Sequence, residues 1–383
     1  MDNKKIALII PGSLWYAPYV RNYTRILDEE KVEYGIFSWN REGDDKPEGF
    51  QYNVRCKNGH GSAGLTAYLG YLKFIKRTIR EHGFDRIIVF GPQLTCLLST
   101  FLLKNYRHHY MIDYRDLSIE QKPGFKQLFA LMLKYSCANV ISSPGFKRCL
   151  PKCDYYLSHN FDVRAVRDAL LVRNDSSSFN ADNYIDILTI GAIRDYSSNI
   201  EVTKAIANQE GFSLRFVGRG QGTVERLQEY CYSVNATNVS FVGAYDKPEE
   251  AGYVKSCTFM NIFYPRIITH DTALSNRFYN SLIYRKPMIV TKDTIQGDYA
   301  EKYNVGVAIK DCSHLTEDLR AFLHQDYQSY SNRCDELLKQ FLSDQQHFEE
   351  AVVQFVKNPY RGGVISYSLQ TCGSLSIYRR VVA

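Results

Sequence analysis

Apolar positions in the first 170 residues fall into short runs separated by stretches of helical period. Ile6–Ile10, Val32–Trp39, Arg86–Phe90, Tyr110–Asp113 and Ala138–Ser142 are rich in contiguous Ile, Val and aromatic residues, which predicts buried strands. Between them, Tyr19–Glu29, Leu65–His82, Gln93–Lys104 and Phe125–Tyr135 predict helices; the second carries apolar residues at 65, 68, 69, 72, 75 and 79. A polar Ser- and Asn-rich segment, 173–184, then interrupts the pattern and reads as a domain linker. Beyond it the alternation restarts, with strands predicted at 185–190, 214–217, 239–242, 259–263, 288–291 and 305–309 and helices near 197–208, 223–233, 274–284 and 313–325.

Strands alternating with helices pair in parallel through right-handed crossovers. The pattern therefore predicts an α/β chain of two Rossmann-like domains, 1–172 and 185–334, facing each other across a cleft that holds the ligand at the carboxyl ends of the strands. Residues 335–360 read as helices that pack back across both domains, and 361–383 as a tail without clear period.

Composition narrows the class of protein. With 45% hydrophobic and 23% charged residues in 383, disordered, collagen-like and coiled-coil readings fail. The longest apolar candidates, such as Thr95–Leu103, stop well short of the ~20 residues that span a bilayer. The N-terminus reads as a charged tip on a short strand, so a cytoplasmic location is expected. Ten cysteines form no C-x-x-C pair and read as reduced packing thiols, and no His or Cys spacing suggests a metal. The net charge of +6 is uneven: residues 1–163 hold 23 Lys and Arg against 16 Asp and Glu. This excess suits an anionic surface or ligand near the first half, or simply a solvated basic surface.

Three stretches carry candidate chemistry. In Ile190-Gly-Ala-Ile-Arg194-Asp-Tyr-Ser-Ser-Asn199 a strand runs into a glycine turn with an arginine beyond it and a helix after; backbone N–H groups and a guanidinium placed this way can hold a diphosphate. Phe216-Val-Gly218-Arg-Gly220-Gln-Gly222 is a second glycine turn, but its spacing departs from the dinucleotide fingerprint, leaving a nicotinamide enzyme as a minor alternative. Ser275-Asn276-Arg277-Phe278-Tyr279-Asn280 reads as a capped helix start, at which Arg277 can hold phosphate and the Asn280 amide can bond a ribose hydroxyl.

These motifs, with Phe241-Val-Gly243 and Lys286-Pro-Met-Ile-Val290, stand in the order and spacing found in GT-B glycosyltransferases, and the chain resembles family-4-type members of bacterial surface and capsular polysaccharide pathways. The resemblance spans about residues 5–360 and is strong over 185–310. It implies a retaining, metal-independent transfer of a sugar from a nucleoside-diphosphate-sugar donor to a saccharide or polyprenyl-diphosphate-linked acceptor, with no cofactor; the lack of a D-x-D triplet agrees with this.

Carried over by residue, the resemblance makes Arg194 the catalytic diphosphate ligand, with Gly12, Asn199, Gly218, Gly220, Thr272, Asn276, Arg277 and Asn280 completing the donor site. Two positions depart from the family: Asn199 stands where a lysine is common, and Asn280 where a glutamate grips the ribose. In Tyr110-Met-Ile-Asp113-Tyr-Arg115-Asp116, the resemblance implies that Asp116 orients or deprotonates the acceptor hydroxyl, while Asp113 and Arg115, with His159, hold the acceptor. Helix capping by Asp113 and Asp116, and a structural role for His159, are the competing readings.

The basic and aromatic stretch Gln121–Tyr135 suits either peripheral contact with an anionic membrane, on the inner face of the cytoplasmic membrane, or a core helix. A sugar-nucleotide epimerase of the same shape and a non-catalytic partner subunit of a transferase are the alternatives in function. Nucleic acid is not expected as a partner, since no recognition motif accompanies the basic residues.

Overall fold

The structure, a computed structural model, describes residues 4–43, 48–56, 64–172, 179 and 184–357. These residues form two compact units, one drawn from Met1–Asp113, Ser118–Asn139 and Glu350–Ala383, the other from Tyr114–Leu117 and Val140–Glu349. Most of the predicted linker, 173–184, and all of the predicted tail, 361–383, lie outside the described residues.

Seven strands make the first sheet: β1 (Lys5–Ile9), β2 (Glu33–Trp39), β3 (Phe50–Tyr52), β4 (Arg86–Phe90), β5 (Tyr110–Tyr114), β6 (Ala138–Ile141) and β7 (Tyr156–Leu157), in the order β3-β2-β1-β4-β5-β6-β7. The second sheet has β8 (Ile185–Ala192), β9 (Phe212–Arg219), β10 (Val239–Gly243), β11 (Phe259–Ile262), β12 (Met288–Thr291) and β13 (Gly306–Ile309), in the order β10-β9-β8-β11-β12-β13. The ladders within each sheet run parallel. Such strands are apolar on both faces because helices cover both, which explains their unbroken hydrophobic runs.

The second sheet makes this explicit. Ile185 and Ile187 of β8, Phe259 of β11 and Ile289 of β12 face one core, completed by the helices Tyr196–Ile206, Thr223–Ser233 and Leu315–Phe322. Leu188 and Ile190, Met260 and Ile262, and Met288 and Val290 face the other, against the helices Val163–Leu171, Asn276–Ile283 and Tyr327–Lys357. The period of two assigns alternate residues of each strand to opposite cores.

In the first unit, Tyr71, Trp39, Tyr52 and Phe37 build an aromatic core beside β2, and the Tyr71 hydroxyl donates to the carbonyls of Ile10 and Phe37. The helix Leu65–His82 ends at Gly83, whose left-handed φ of 64° lets its N–H close on the Ile79 carbonyl. Buried Arg86 donates to the Phe355 carbonyl and lies over the Phe355 ring, while Lys4 Nζ donates to the Val356 carbonyl at 3.1 Å. The end of the last helix is thereby held to the first unit.

The structure departs from the predicted elements in several places. β3 and β7 are three and two residues long, too short to leave a periodic signal. The helix predicted over 93–104 is two helices, Pro92–Leu97 and Ser99–Asn105, meeting at Leu98. The last helix begins at Tyr327, ahead of the predicted 335, and helices at Val163–Leu171, Glu250–Ser256 and Ile295–Tyr303 were not anticipated.

Candidate functional site

Open parallel sheets bind ligands beyond the carboxyl ends of strands where the chain order reverses. In the second sheet that point is β8, flanked by β9 on one side and β11 on the other. The strands end there in glycine: Gly191 of β8 pairs with Gly218 of β9, at φ of 96° and 139°. A Cβ on Gly218 would collide with the Gly191 carbonyl, and one on Gly220 with the Ile193 carbonyl. Both positions are fixed as glycine by the close approach of two backbones at the carboxyl ends of these interior strands.

Two arginines rise from this turn. Arg194 follows β8 and is exposed; Arg219 ends β9, is exposed, and accepts the Ile193 N–H through its carbonyl at 2.9 Å. Among the described residues neither guanidinium has a hydrogen-bond or ion-pair partner. The Arg194 carbonyl is anchored by the Thr223 hydroxyl at 2.7 Å, which fixes the backbone while leaving the side chain in solvent. The helix Tyr196–Ile206 starts immediately after, so its dipole adds to the positive potential. Arg219 was not singled out from the sequence, although it lies inside the Gly218–Gly220 turn.

Arg277 serves the turn differently from the sequence expectation. It lies at the start of the helix Asn276–Ile283, capped by the Ser275 hydroxyl, and is buried. Its Nε donates to the Ile190 carbonyl at 2.5 Å and one terminal nitrogen to the Ala192 carbonyl at 2.8 Å. The guanidinium straps down the carbonyls on either side of Gly191 and lies over the Tyr264 ring, 5.7 Å from its centre.

Asn280, one turn on, donates to Glu250 Oε1 at 2.9 Å. Glu250 comes from the helix Glu250–Ser256 and also accepts from Tyr245 at 2.7 Å and Lys247 at 2.5 Å. Burial pushes the Glu250 carboxyl up, but the hydrogen bonds from Lys247, Tyr245 and Asn280 together hold it below the usual glutamate range. The Tyr245 hydroxyl reaches within 3.9 Å of the space beside Gly191, so this carboxylate cluster borders the glycine turn. A carboxylate beside Asn280, contributed by another element, was not visible in the sequence because the two positions are 30 residues apart.

Other candidate residues have local partners. The Asn199 amide donates to the Asp195 carbonyl at 2.9 Å, and the residue is buried in its helix. Thr272 is buried, its hydroxyl on the Ile268 carbonyl, while its own carbonyl accepts from Ser143 at 2.6 Å. Neighbouring Asp271 pairs with Arg266 at 2.8 Å. Asn276 is exposed and accepts from the Asn160 amide at 2.8 Å. None of these side chains joins the glycine turn through a hydrogen bond among the described residues.

Gly12 follows β1 in the first unit; its carbonyl accepts from the Trp39 N–H, and no atom lies within 4 Å of where a Cβ would stand. Asp113 is fully buried and accepts from the Tyr23 hydroxyl at 2.5 Å. Arg115, also buried, donates to the Ser158 carbonyl and hydroxyl, both at 2.9 Å. Asp116 is exposed, yet the protein around it desolvates the carboxyl and raises it above the usual aspartate range, against the opposing pull of Arg115. His159 is fully buried, with Nδ1 2.9 Å from the Tyr279 hydroxyl and Nε2 3.2 Å from Asp344. Both its ring nitrogens are engaged inside the protein.

Two parallel α/β sheets of seven and six strands, each Rossmann-like, define the GT-B fold class of glycosyltransferases. Among solved structures, the chain is similar to a glycosyltransferase from Rickettsia africae, with a TM-score of 0.66, 13% identity, and coverage of 93% of this chain and 100% of that one. It is also similar to sucrose-phosphate synthase from Thermosynechococcus elongatus, at TM-score 0.62, 14% identity and coverage of 92% and 98%. Anabaena HepE in complex with UDP matches at TM-score 0.60, 12% identity and coverage of 92% and 100%. No protein-family model matches the chain, and no curated protein does.

Proposed function

We propose that the protein is a glycosyltransferase that moves a sugar from a nucleoside-diphosphate-sugar donor to a saccharide or lipid-linked saccharide acceptor, with retention and without a metal, in bacterial surface polysaccharide synthesis. The observation that carries this reading is the pair of unpartnered guanidiniums, Arg194 and Arg219, at a glycine-lined turn on the switch point of the second sheet. A diphosphate is the ligand such a turn suits: two cations neutralise it, backbone approaches closely, and a helix start faces the same end of the strand. The fold it shares with Anabaena HepE, a protein solved with UDP and with UDP and glucose, supports the choice of donor.

In this reading the departing nucleoside diphosphate gathers negative charge as the glycosidic bond breaks, and Arg194 and Arg219 stabilise it. Arg277 keeps the turn in shape from beneath. Glu250, with Asn280 beside it, accepts hydrogen bonds from the ribose diol, taking the part of the carboxylate that Asn280 lacks. Asp116, its carboxyl raised, orients the acceptor hydroxyl.

For a lipid-linked acceptor, the helix Phe125–Tyr135 is the proposed contact with an anionic membrane. It buries Phe129, Met132 and Leu133 but exposes Phe125 and Leu131 beside Lys126 and Lys134. No described helix is long and apolar enough to cross a membrane. Co-sedimentation with phosphatidylglycerol vesicles, lost in a Lys126→Glu/Lys134→Glu variant, tests this part.

The main test is calorimetric titration with UDP, GDP, CDP and ADP. Selective binding of one, weakened about tenfold or more by Arg194→Ala, is expected; a wild-type chain that binds none of them would sink the transferase reading.

A further inference from the structure

Asp195 stands at the N-cap of the helix Tyr196–Ile206, where an aspartate ordinarily accepts from backbone N–H groups of the first turn, yet its side chain makes no cap hydrogen bond. The carboxylate lies instead beside His270, which comes from beyond β11, the neighbour of β8 on the side away from β9. Asp195 Oδ2 is 3.8 Å from His270 Nε2, too far for a hydrogen bond between them. The two side chains are 29% and 25% exposed, and among the described residues neither the carboxylate nor Nε2 has another partner.

The imidazole is held in one orientation. Its Nδ1 lies 3.2 Å from the Pro265 carbonyl, which can only accept, so Nδ1 carries the hydrogen and Nε2 of the neutral ring is an acceptor. The ring packs on Tyr264, 4.9 Å between centres, and the Arg277 guanidinium lies over the same tyrosine. Tyr264 is tied to the end of β12: its N–H donates to Thr291 Oγ1 at 2.9 Å, and its carbonyl accepts from that hydroxyl at 2.7 Å. Two partly exposed acceptors, Nε2 and the carboxylate, thus stand side by side on a fixed support, with no donor between them. Two adjacent acceptors match two adjacent donors, which is what the vicinal hydroxyls of a sugar present.

Their place on the sheet says which sugar. Tyr245 and Glu250 border the glycine turn from the segment after β10, and His270 stands beyond β11, so the two groups flank β8 from opposite sides. A nucleoside-diphosphate sugar is a linear ligand; with its ribose at Glu250 and its diphosphate on Arg194 and Arg219, the sugar leaves the turn on the β11 side, where Asp195 and His270 wait. Arg266, the cation of the same loop, is engaged by Asp271 at 2.8 Å and lies 3.7 Å from Asp293.

We infer that Asp195 and His270 read the sugar of the donor, each accepting from one of two adjacent hydroxyls, and that the Asp195 carboxylate selects a neutral hexose over a uronic acid by repelling a second carboxylate. This inference rests on the transferase reading and assigns to its site two residues that determine sugar specificity.

The test is calorimetric titration of the full chain with UDP, GDP, CDP and ADP, each alone and as its glucose conjugate, together with UDP-galactose, GDP-mannose and UDP-glucuronate. Asp195→Ala is expected to weaken a neutral hexose conjugate about tenfold or more, and His270→Phe, which keeps a ring against Tyr264 but removes the acceptor, about threefold or more. Neither variant should weaken the free nucleoside diphosphate, whose binding also reports that the turn is intact. The glucuronate conjugate should bind the wild type more weakly than the neutral one, and Asp195→Ala should narrow that gap. A wild-type chain that binds no nucleotide removes the transferase reading and this inference with it. The inference alone is overturned if the wild type binds a nucleoside diphosphate but no neutral hexose conjugate, if either variant weakens diphosphate and conjugate equally or leaves both unchanged, or if the glucuronate conjugate binds as tightly as the neutral one.

Discussion

Gly218 stands directly across from Gly191 in the β8–β9 ladder, and the carbonyl of Gly191 occupies the space that any side chain on Gly218 would need. The turn that presents Arg194 and Arg219 therefore exists only because position 218 has no Cβ. Its φ of 139° adds a second barrier to substitution. Gly218→Ala is expected to destabilise the protein by about 2–4 kcal/mol, through strain and displaced backbone together, measured by urea unfolding. A variant as stable as the wild type would contradict the close approach.

Arg194→Ala and Arg219→Ala remove exposed, unpartnered cations, so neither should move the unfolding midpoint. Each is expected to weaken nucleoside-diphosphate binding about tenfold to a hundredfold, the worth of a charge-assisted hydrogen bond of ~1.5–3 kcal/mol. The weakening should be smaller at high salt, where exposed charges are screened. Calorimetry at two ionic strengths checks both statements.

Arg277 carries the opposite expectation. Its hydrogen bond to the Ile190 carbonyl is buried and the one to the Ala192 carbonyl half-buried, and Arg277→Met leaves both oxygens without this donor. A loss of stability of about 2–3 kcal/mol should accompany any loss of nucleotide binding. A variant that lost binding with no change in stability would place Arg277 on the ligand instead.

Glu250→Gln tests the carboxylate beside Asn280. In the proposed reading it lowers affinity for the ribonucleotide about tenfold and leaves the 2′-deoxy nucleotide unchanged, since only the former presents the diol. The folded-state pKa of Glu250 is depressed, so its contribution to stability is present above the ordinary glutamate range and is lost as pH falls through the lower folded value. The stability difference between wild type and Glu250→Gln should therefore hold at pH 6 and 7 and shrink only in acid below that range.

His159 gives a second pH signature at a higher range. Burial lowers its pKa, against the pull of Asp344, so the unfolded chain takes up the proton first as pH falls. Stability is full above the unfolded value of about 6.5 and declines below it. Melting temperature measured between pH 8 and pH 5.5 should fall less steeply in His159→Gln than in the wild type; parallel curves would mean that His159 does not titrate with unfolding.

Much of the architecture was written in local sequence. Continuous apolar runs marked the central strands because a parallel sheet covered on both faces demands them, and Ile185–Ile190 and Met288–Thr291 fell where predicted. The glycine turn was legible for the same kind of reason: two glycines and an arginine next to a strand end are a local requirement. Elements without a local signature were missed. The paired strand β3 has three residues, and the break at Leu98 interrupts a pattern that reads as one helix.

What each polar side chain touches was decided by the tertiary structure alone. The sequence could place Arg277 and Asn280 at a helix start, but only packing turned Arg277 down onto β8 and set Glu250 against Asn280. It could mark His159 as a candidate, but burial against Tyr279 and Asp344 comes from residues 120 and 185 positions away. Secondary structure follows from periodicity along the chain, which sequence contains; the partner of a side chain follows from which distant segments the sheet and its helices bring together, and that is fixed only once the chain has folded.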